Sequence, residues 1–326
     1  MTLGSGAFGR CRSGSGLAEV SRGEVKAAGM GARLPGLRRA SAGPLPLIAP
    51  VQLLVLGVIV LPALFVFWLS FQASSFGQSP TFVGFDNYLR VLADPYFWRS
   101  VGNTVVVIVL AVHPELLLGL GLALLFASGL PFQRLLLVIV LAPYAISEVT
   151  AVAMWRFLFD PDVGPVTMSL HSLGLPSLDW TFIPWHGLIL IGLLTIWLHL
   201  PFTFVILYAA RLAIPKELYE AGRIDGASRF QLFRNITLPL LAPAILIAML
   251  FRYIFAFRLF SEVWLMTQGG PARMTEVAAV YLYLEAFRYN SFGTAAATAW
   301  IMVLISLLLA AGYLWRLRRE MTLHAH

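Results

Sequence analysis

Three ionisable residues stand inside one long apolar run: LAPAILIAMLFRYIFAFRLFSEVWLM, residues 241–266, carries Arg252, Arg258 and Glu262. An ionisable group at the middle of a bilayer costs at least about 2.5 kcal/mol on insertion scales, so such residues mark buried pairs or polar ligand paths. Arg258 and Glu262 are four apart, the spacing that puts two side chains on one helical face. Either they pair with each other and so tolerate burial, or Arg258, with its flat fork of donors, and Glu262 line a path and bind a polar ligand. A second run, APYAISEVTAVAMWRF from Ala142 to Phe157, adds Tyr144, Ser147, Glu148 and Trp155. A Glu148–Arg252 pair across two helices is one way to bury a lone carboxylate.

Other chemistries find little support. His113 and Glu115 are two apart and point to different helical faces, which argues against a shared metal. His113-Pro114-Glu115 and His199-Leu200-Pro201 each interrupt an apolar run; proline there makes a kink that neighbours can satisfy, and both histidines are read as packing residues. No paired acid and base or metal constellation sits at a membrane edge, and no G-x4-GK[ST] phosphate loop occurs. Cys11 is the single cysteine, so no disulfide forms within the chain.

The elements that must position these residues follow from composition. Of 326 residues, 59% are apolar and 12% charged, with a mean hydropathy of +0.81. Soluble domains carry roughly 25% charged residues, so the chain is of the membrane class. A membrane-crossing helix needs about 20 mostly apolar residues. Six stretches qualify, at 45–71, 101–127, 135–157, 188–210, 240–266 and 293–314. They lack the alternation of a membrane barrel, and backbone groups in hydrocarbon must be paired within the segment, so the spans are helices and the fold is all-α. Residues 1–44, rich in Gly, Ser, Ala and Arg, read as a disordered basic tail with no signal peptide; whether Met1 or Met30 is the start is open.

Orientation follows from Lys and Arg beside the spans. The tail, the second and fourth loops and the C-terminus carry sixteen of them, whereas the opposite loops hold Arg90, Arg99, Arg273 and Arg288. Both termini and the fourth loop are therefore expected in the cytoplasm. The net charge of +7 reflects this clustering at span ends and gives no support to nucleic-acid binding. On the other side, Asn87 to Leu92 reads as a short interfacial helix, and Asp160 to Trp185 as an ordered rim. Neither loop is large enough to fold as a separate ligand-capturing domain.

The fourth loop is the exception to this apolar chain. From Glu217 it reads ELYEAGRIDGASRFQLFRNITLPLLAP. Pro215 and Lys216 start a helix with Glu217 and Glu220 near its positive end, and Gly226 ends it. Leu218, Ala221 and Ile224 form its narrow apolar edge. A second short helix from about Ala227 carries Phe230, Phe233 and Ile236, and Leu238-Pro239 returns the chain to the membrane. On physical grounds such a stretch rests on lipid headgroups or docks on a partner.

Glu220-Ala221-Gly222, three residues, Gly226, nine residues, Ile236, one residue, then Leu238-Pro239 resembles the EAA motif of binding-protein-dependent ABC importer permeases. Asp225 and Ala227 fit its wider form. Gly222 departs from it, since alanine is usual there; glycine loosens a helix by about 1 kcal/mol without adding bulk, so docking is expected to survive. The resemblance spans about 45–317 and is nearest the carbohydrate-type, MalF/UgpA-like branch. Thr267-Gln268-Gly269-Gly270-Pro271 is similar to the T-x-GGP turn of that branch, and the aromatic stripe from Thr275 to Phe287 follows it.

The resemblance implies a type I (MetI-like) permease fold with a transmembrane domain over 45–317 and a cytoplasmic coupling loop at 211–239. It implies a multi-pass subunit of a bacterial inner membrane that moves a sugar, polyol or glycerol-phosphate compound. It makes Glu220, Ala221, Gly222, Asp225, Gly226, Ala227, Ile236, Leu238 and Pro239 the ATPase-coupling residues, without catalytic chemistry. Tyr144, Glu148, Arg252, Arg258 and Glu262 become the substrate path, with hydroxyl bonds and aromatic stacking holding a sugar. The implied partners are two cytoplasmic ATP-binding subunits, which hold the ATP and magnesium, a second homologous permease chain and an extracytoplasmic solute-binding protein. This chain itself binds no cofactor or metal. A heterodimer is the expected pairing, with a homodimer open, and the bilayer lipid surrounds both. The rival reading is an ion-gradient-driven carrier, which needs coupling carboxylates and usually internal repeats. No repeat is seen, and only two acidic residues lie deep.

Overall fold

The computed structural model describes residues 45–323, so the predicted tail at 1–44 lies outside the described residues. The chain divides into two compact units between Leu54 and Val55. The described part of the first is helical, within α1 (Leu45–Val55).

In the second unit a π-helical turn, Leu56–Val60, leads to α2 (Leu61–Leu69). Two-residue strands β1 (Gln72–Ala73) and β2 (Thr81–Phe82) then pair antiparallel, Gln72 opposite Phe82. The expected interfacial helix is α3 (Asp86–Ala93), followed by α4 (Pro95–Ala127). Asp94 caps α4 by accepting from the Tyr96 N–H at 2.8 Å, and Pro95 occupies the position where a missing N–H costs nothing. Next come α5 (Gln133–Leu141), α6 (Glu148–Leu158), α7 (Pro165–Ser172) and α8 (Pro184–Leu212). The fourth loop holds α9 (Lys216–Ile224) and α10 (Arg229–Leu232). A π-helical turn, Phe233–Thr237, joins α10 to α11 (Leu238–Phe257). The chain ends through α12 (Ser261–Met266), α13 (Ala278–Tyr283) and α14 (Phe292–Leu323).

Among the described residues, five helical runs are long and apolar enough to cross a membrane: Ile48–Leu69, Pro95–Ala127, Pro184–Leu212, Arg229–Phe257 and Phe292–Tyr313. The expected third span is not one helix. Gln133–Ala145 and Glu148–Leu158 meet at 100°. Pro143 lies in a 3-10 turn, Ile146 is extended, and Ser147 restarts the helix by accepting from the Thr150 N–H, with Glu148 in its first turn.

The expected fifth span, 240–266, is also corrected at both ends. Its helix begins at Arg229, because the π-helical turn carries the backbone past Leu238-Pro239 without a break. It stops at Phe257, and α12 starts afresh at Ser261. The second short helix of the loop is thus the first part of the membrane helix.

The main core cluster joins α4, α6, α8 and α12 through fully buried Val107, Val152, Leu190, Ile191, Leu194 and Val263. At the other end of α4 and α8, Phe204 and Tyr208 stack, Phe126 packs edge-on against both, and Gln133 of α5 donates to the Tyr208 hydroxyl at 2.6 Å. These contacts fix the frame from which the polar residues project.

Candidate functional site

The loop hairpin is held by contacts within itself. At the end of α9 the Gly226 N–H bonds the Arg223 carbonyl at 3.1 Å and the Ala227 N–H bonds the Gly222 carbonyl at 2.9 Å. This paired closure needs a left-handed residue, and Gly226 supplies it at φ +77°. Ser228 then caps α10 in a reciprocal box with Gln231. The Tyr219 hydroxyl lies 2.9 Å from Thr237 Oγ1, and the Arg211 guanidinium sits 4.4 Å from the centre of the Tyr219 ring.

The motif residues divide between two faces. Glu220, Ala221, Asp225, Gly226, Leu238 and Pro239 are exposed, while Gly222, Ala227 and Ile236 are half-buried. Gly222 faces into the chain: a methyl group there would stand 2.5 Å from Leu232 Cδ2 and 3.4 Å from Ile236 Cδ1. The apolar edge points outward, with Leu218 42% and Ile224 86% exposed.

A cavity of about 450 Å3 opens where α6, α8, α11 and α12 meet, and all five expected path residues, Tyr144, Glu148, Arg252, Arg258 and Glu262, line it. Their expected pairings are not the ones found. Arg252 is bonded to Glu115 of α4, with Nε 2.8 Å and Nη2 2.7 Å from Oε2, and Thr203 Oγ1 donates to Glu115 Oε1. Glu148 is exposed at the start of α6, so it is not the counter-charge of Arg252. Arg258 caps the end of α11 and Glu262 belongs to α12, so the two do not share a helical face. Glu262 is buried and lies 3.4 Å from His199 Nε2.

Two cavity residues escaped the sequence reading. His199, expected to be packing, is part of the wall, and Thr195 is fully buried there with no hydrogen-bond partner for its hydroxyl. A buried hydroxyl without a partner is costly, and a ligand hydroxyl entering the cavity would relieve that cost. Glu115 also escaped, although a carboxylate inside an apolar run always demands a partner. The other histidine, His113, is exposed and hydrogen-bonded to the Tyr253 hydroxyl at 3.1 Å. The two lie beside a second, mostly apolar cavity of about 530 Å3 between α4, α11 and α14. Among the described residues no group of three or more His, Cys, Asp or Glu side chains could hold a metal ion.

Beyond α12, the turn from Thr267 to Pro271 is closed by side chains. Thr275 Oγ1 lies 2.7 Å from both Thr267 Oγ1 and the Gly270 carbonyl. Arg273 grips Glu276 with two bonds of 2.6 and 2.7 Å and lies 4.3 Å from the centre of the Tyr96 ring. The Glu276 bond raises the Arg273 pKa above its usual range. Burial, with Asp94 nearby, raises that of Glu285.

Comparison with known proteins accords with this geometry. Residues 115–319 match the family described as binding-protein-dependent transport system inner membrane component. The trehalose/maltose transport system permease protein MalF of Thermococcus litoralis is 36% identical over 248 residues, 76% of this chain and 83% of that one. The sulfoquinovosyl glycerol transport system permease protein SmoG of Agrobacterium fabrum is 34% identical over 278 residues, 84% of this chain and 90% of that one. In structure, a bacterial ABC transporter involved in import of the acidic polysaccharide alginate superposes with a TM-score of 0.74 at 22% identity. That match covers 84% of this chain and 94% of the other, and it establishes the fold.

Proposed function

The chain belongs to the binding-protein-dependent transport system inner membrane component family, a permease and not an enzyme, and we propose that it carries a sugar or a related polyol or glycerol-phosphate compound, driven by an ATPase docked on α9. The relatives named for trehalose and maltose and for sulfoquinovosyl glycerol support the cargo class. So does the cavity, where Tyr144, Arg258 and the Thr195 hydroxyl offer a ring face and hydrogen bonds.

The observation that carries the coupled reading is the outward edge of α9. Ile224 is 86% exposed on a helix flanked by Glu220, Arg223 and Asp225, and an apolar side chain in that setting fits a cleft on another polypeptide. ATP binding on two such subunits would draw α9 with them and turn the bundle between its two states. A nucleotide can bias that equilibrium only by its different affinity for the two states, so the contact must be mechanical and firm. On this reading α9 and both termini face the cytoplasm, a binding protein delivers cargo from the other side, and a second permease chain, most simply a homologue, completes the path.

Uptake of labelled maltose and trehalose into vesicles containing the assembled complex tests the reading. Uptake that requires ATP inside an importer-oriented assembly is the expected result. Uptake driven by an imposed ion gradient with ATP removed would overturn it in favour of a secondary carrier.

A further inference from the structure

None of the nine residues of α9 is buried. A helix that short is marginal in water unless tertiary contacts hold it, so its orientation must be set by the few side chains that touch the rest of the chain. Tyr219 is the first of these. Its ring lies under Arg211, in the last turn of α8, and its hydroxyl meets Thr237 Oγ1. Thr237 Oγ1 also donates to the Leu232 carbonyl at 3.4 Å, which leaves Tyr219 as the donor to Thr237. Gly222, one turn further along, is the second, set against Leu232 and Ile236.

All the partners in the fifth span lie on one continuous helical run, Arg229–Phe257. Thr237 is at its base, and Arg252, fifteen residues on, is at the cavity; at 1.5 Å per residue the two are about 22 Å apart along one unbroken helix, which carries Pro239 and Pro243 between them. We infer that Tyr219 is a positioning residue that fastens α9 to the base of α11, so that a displacement of α9 is carried along the helix to Arg252 and the cavity. Gly222 belongs to the same joint, because its missing side chain lets α9 seat against Leu232. The proposal rests on the importer reading, and it adds where the force enters the membrane helix.

The test needs no knowledge of the cargo. In a Cys11→Ser background, Tyr144→Cys places one thiol on the cavity wall, and its labelling by a hydrophilic maleimide is timed in the assembled complex with and without a non-hydrolysed ATP analogue. The expected result is a nucleotide-dependent change in labelling rate that Tyr219→Phe and Thr237→Val each reduce about fivefold, the loss of one hydrogen bond of ~1 kcal/mol. The double variant should be no worse than the worse single one.

An undiminished response in both single hydroxyl variants overturns the joint. Loss of the ATPase from purified Tyr219→Phe complexes also overturns it, since Tyr219 would then be a docking contact. A starting protein whose labelling ignores nucleotide sinks the importer reading itself, and the joint with it.

Discussion

Arg252 of α11 reaches Glu115 of α4 with both Nε and Nη2 within 2.8 Å of one carboxylate oxygen, and neither side chain has appreciable contact with solvent. A buried pair of this kind adds little net stability, because desolvation offsets the attraction, but removal of one member leaves an uncompensated charge. Its place between two membrane helices therefore makes it a strut whose loss is felt at the cavity that Arg252 lines.

Glu115→Ala and Arg252→Ala should each destabilise the protein by about 3–5 kcal/mol, while replacing both with apolar residues of similar volume should cost much less. Thermal unfolding of the four proteins in one detergent decides the matter. A loss in the double equal to the sum of the two single losses would show that the pair is not a unit.

The fourth loop allows fold and function to be separated at Gly226. A Cβ there would meet no atom within 4 Å, so the main local penalty of Gly226→Val is the left-handed backbone at φ +77°. That penalty is about 1–2 kcal/mol for an L-residue, too small to unfold a chain of ordinary stability. The expected outcome is normal insertion into the membrane with uptake abolished. Unchanged uptake would argue against a docking role for the loop.

Much of this was visible in the amino-acid sequence because charge is scarce in an apolar chain. Tyr144, Glu148, Arg252, Arg258 and Glu262 line one cavity, and the cost of ionisable groups in hydrocarbon is what draws attention to the last four. The pairings were not visible. Which carboxylate meets Arg252 depends on how α4 packs against α11, and Glu115 lies 137 residues away from it in sequence. The break after Phe257 lies beside Arg258 in an otherwise apolar stretch, where the helix-start signal is Ser261-Glu262, a weak one. The 100° bend before Glu148 was better signposted, by Pro143 and the capping Ser147, and a purely hydropathic reading of 135–157 passes over both.

Ile224 separates docking from stability in the opposite sense. At 86% exposure it contributes little to the fold, and Ile224→Asp should change the unfolding temperature hardly at all, within about 0.5 kcal/mol for a surface site. The same change would set a carboxylate against an apolar cleft, so the ATPase subunits should no longer co-purify with the permease. Retention of the full complex would mean that the outward edge of α9 rests on lipid or water instead.

The segment just after α13 carries the pH dependence. Glu285 is half-buried with Asp94 close by, and both effects hold its pKa above 4.5, although Arg273 partly opposes them. A carboxyl with a raised folded-state pKa binds its proton more tightly in the native protein than in the unfolded chain. Between the unfolded value and the raised one, the native state therefore holds more protons, and stability falls as pH rises through that window. Glu285→Gln keeps the shape and removes the charge, so it should raise the unfolding temperature at pH 7.5 and lose that advantage at pH 4. The neighbouring Arg273–Glu276 clamp supplies the contrast, since Glu276→Gln removes a bonded carboxylate and should destabilise at pH 7.5. Unfolding curves of the three proteins at the two pH values check this, and a Glu285→Gln protein no more stable than its parent at pH 7.5 would show that the charge is not under strain.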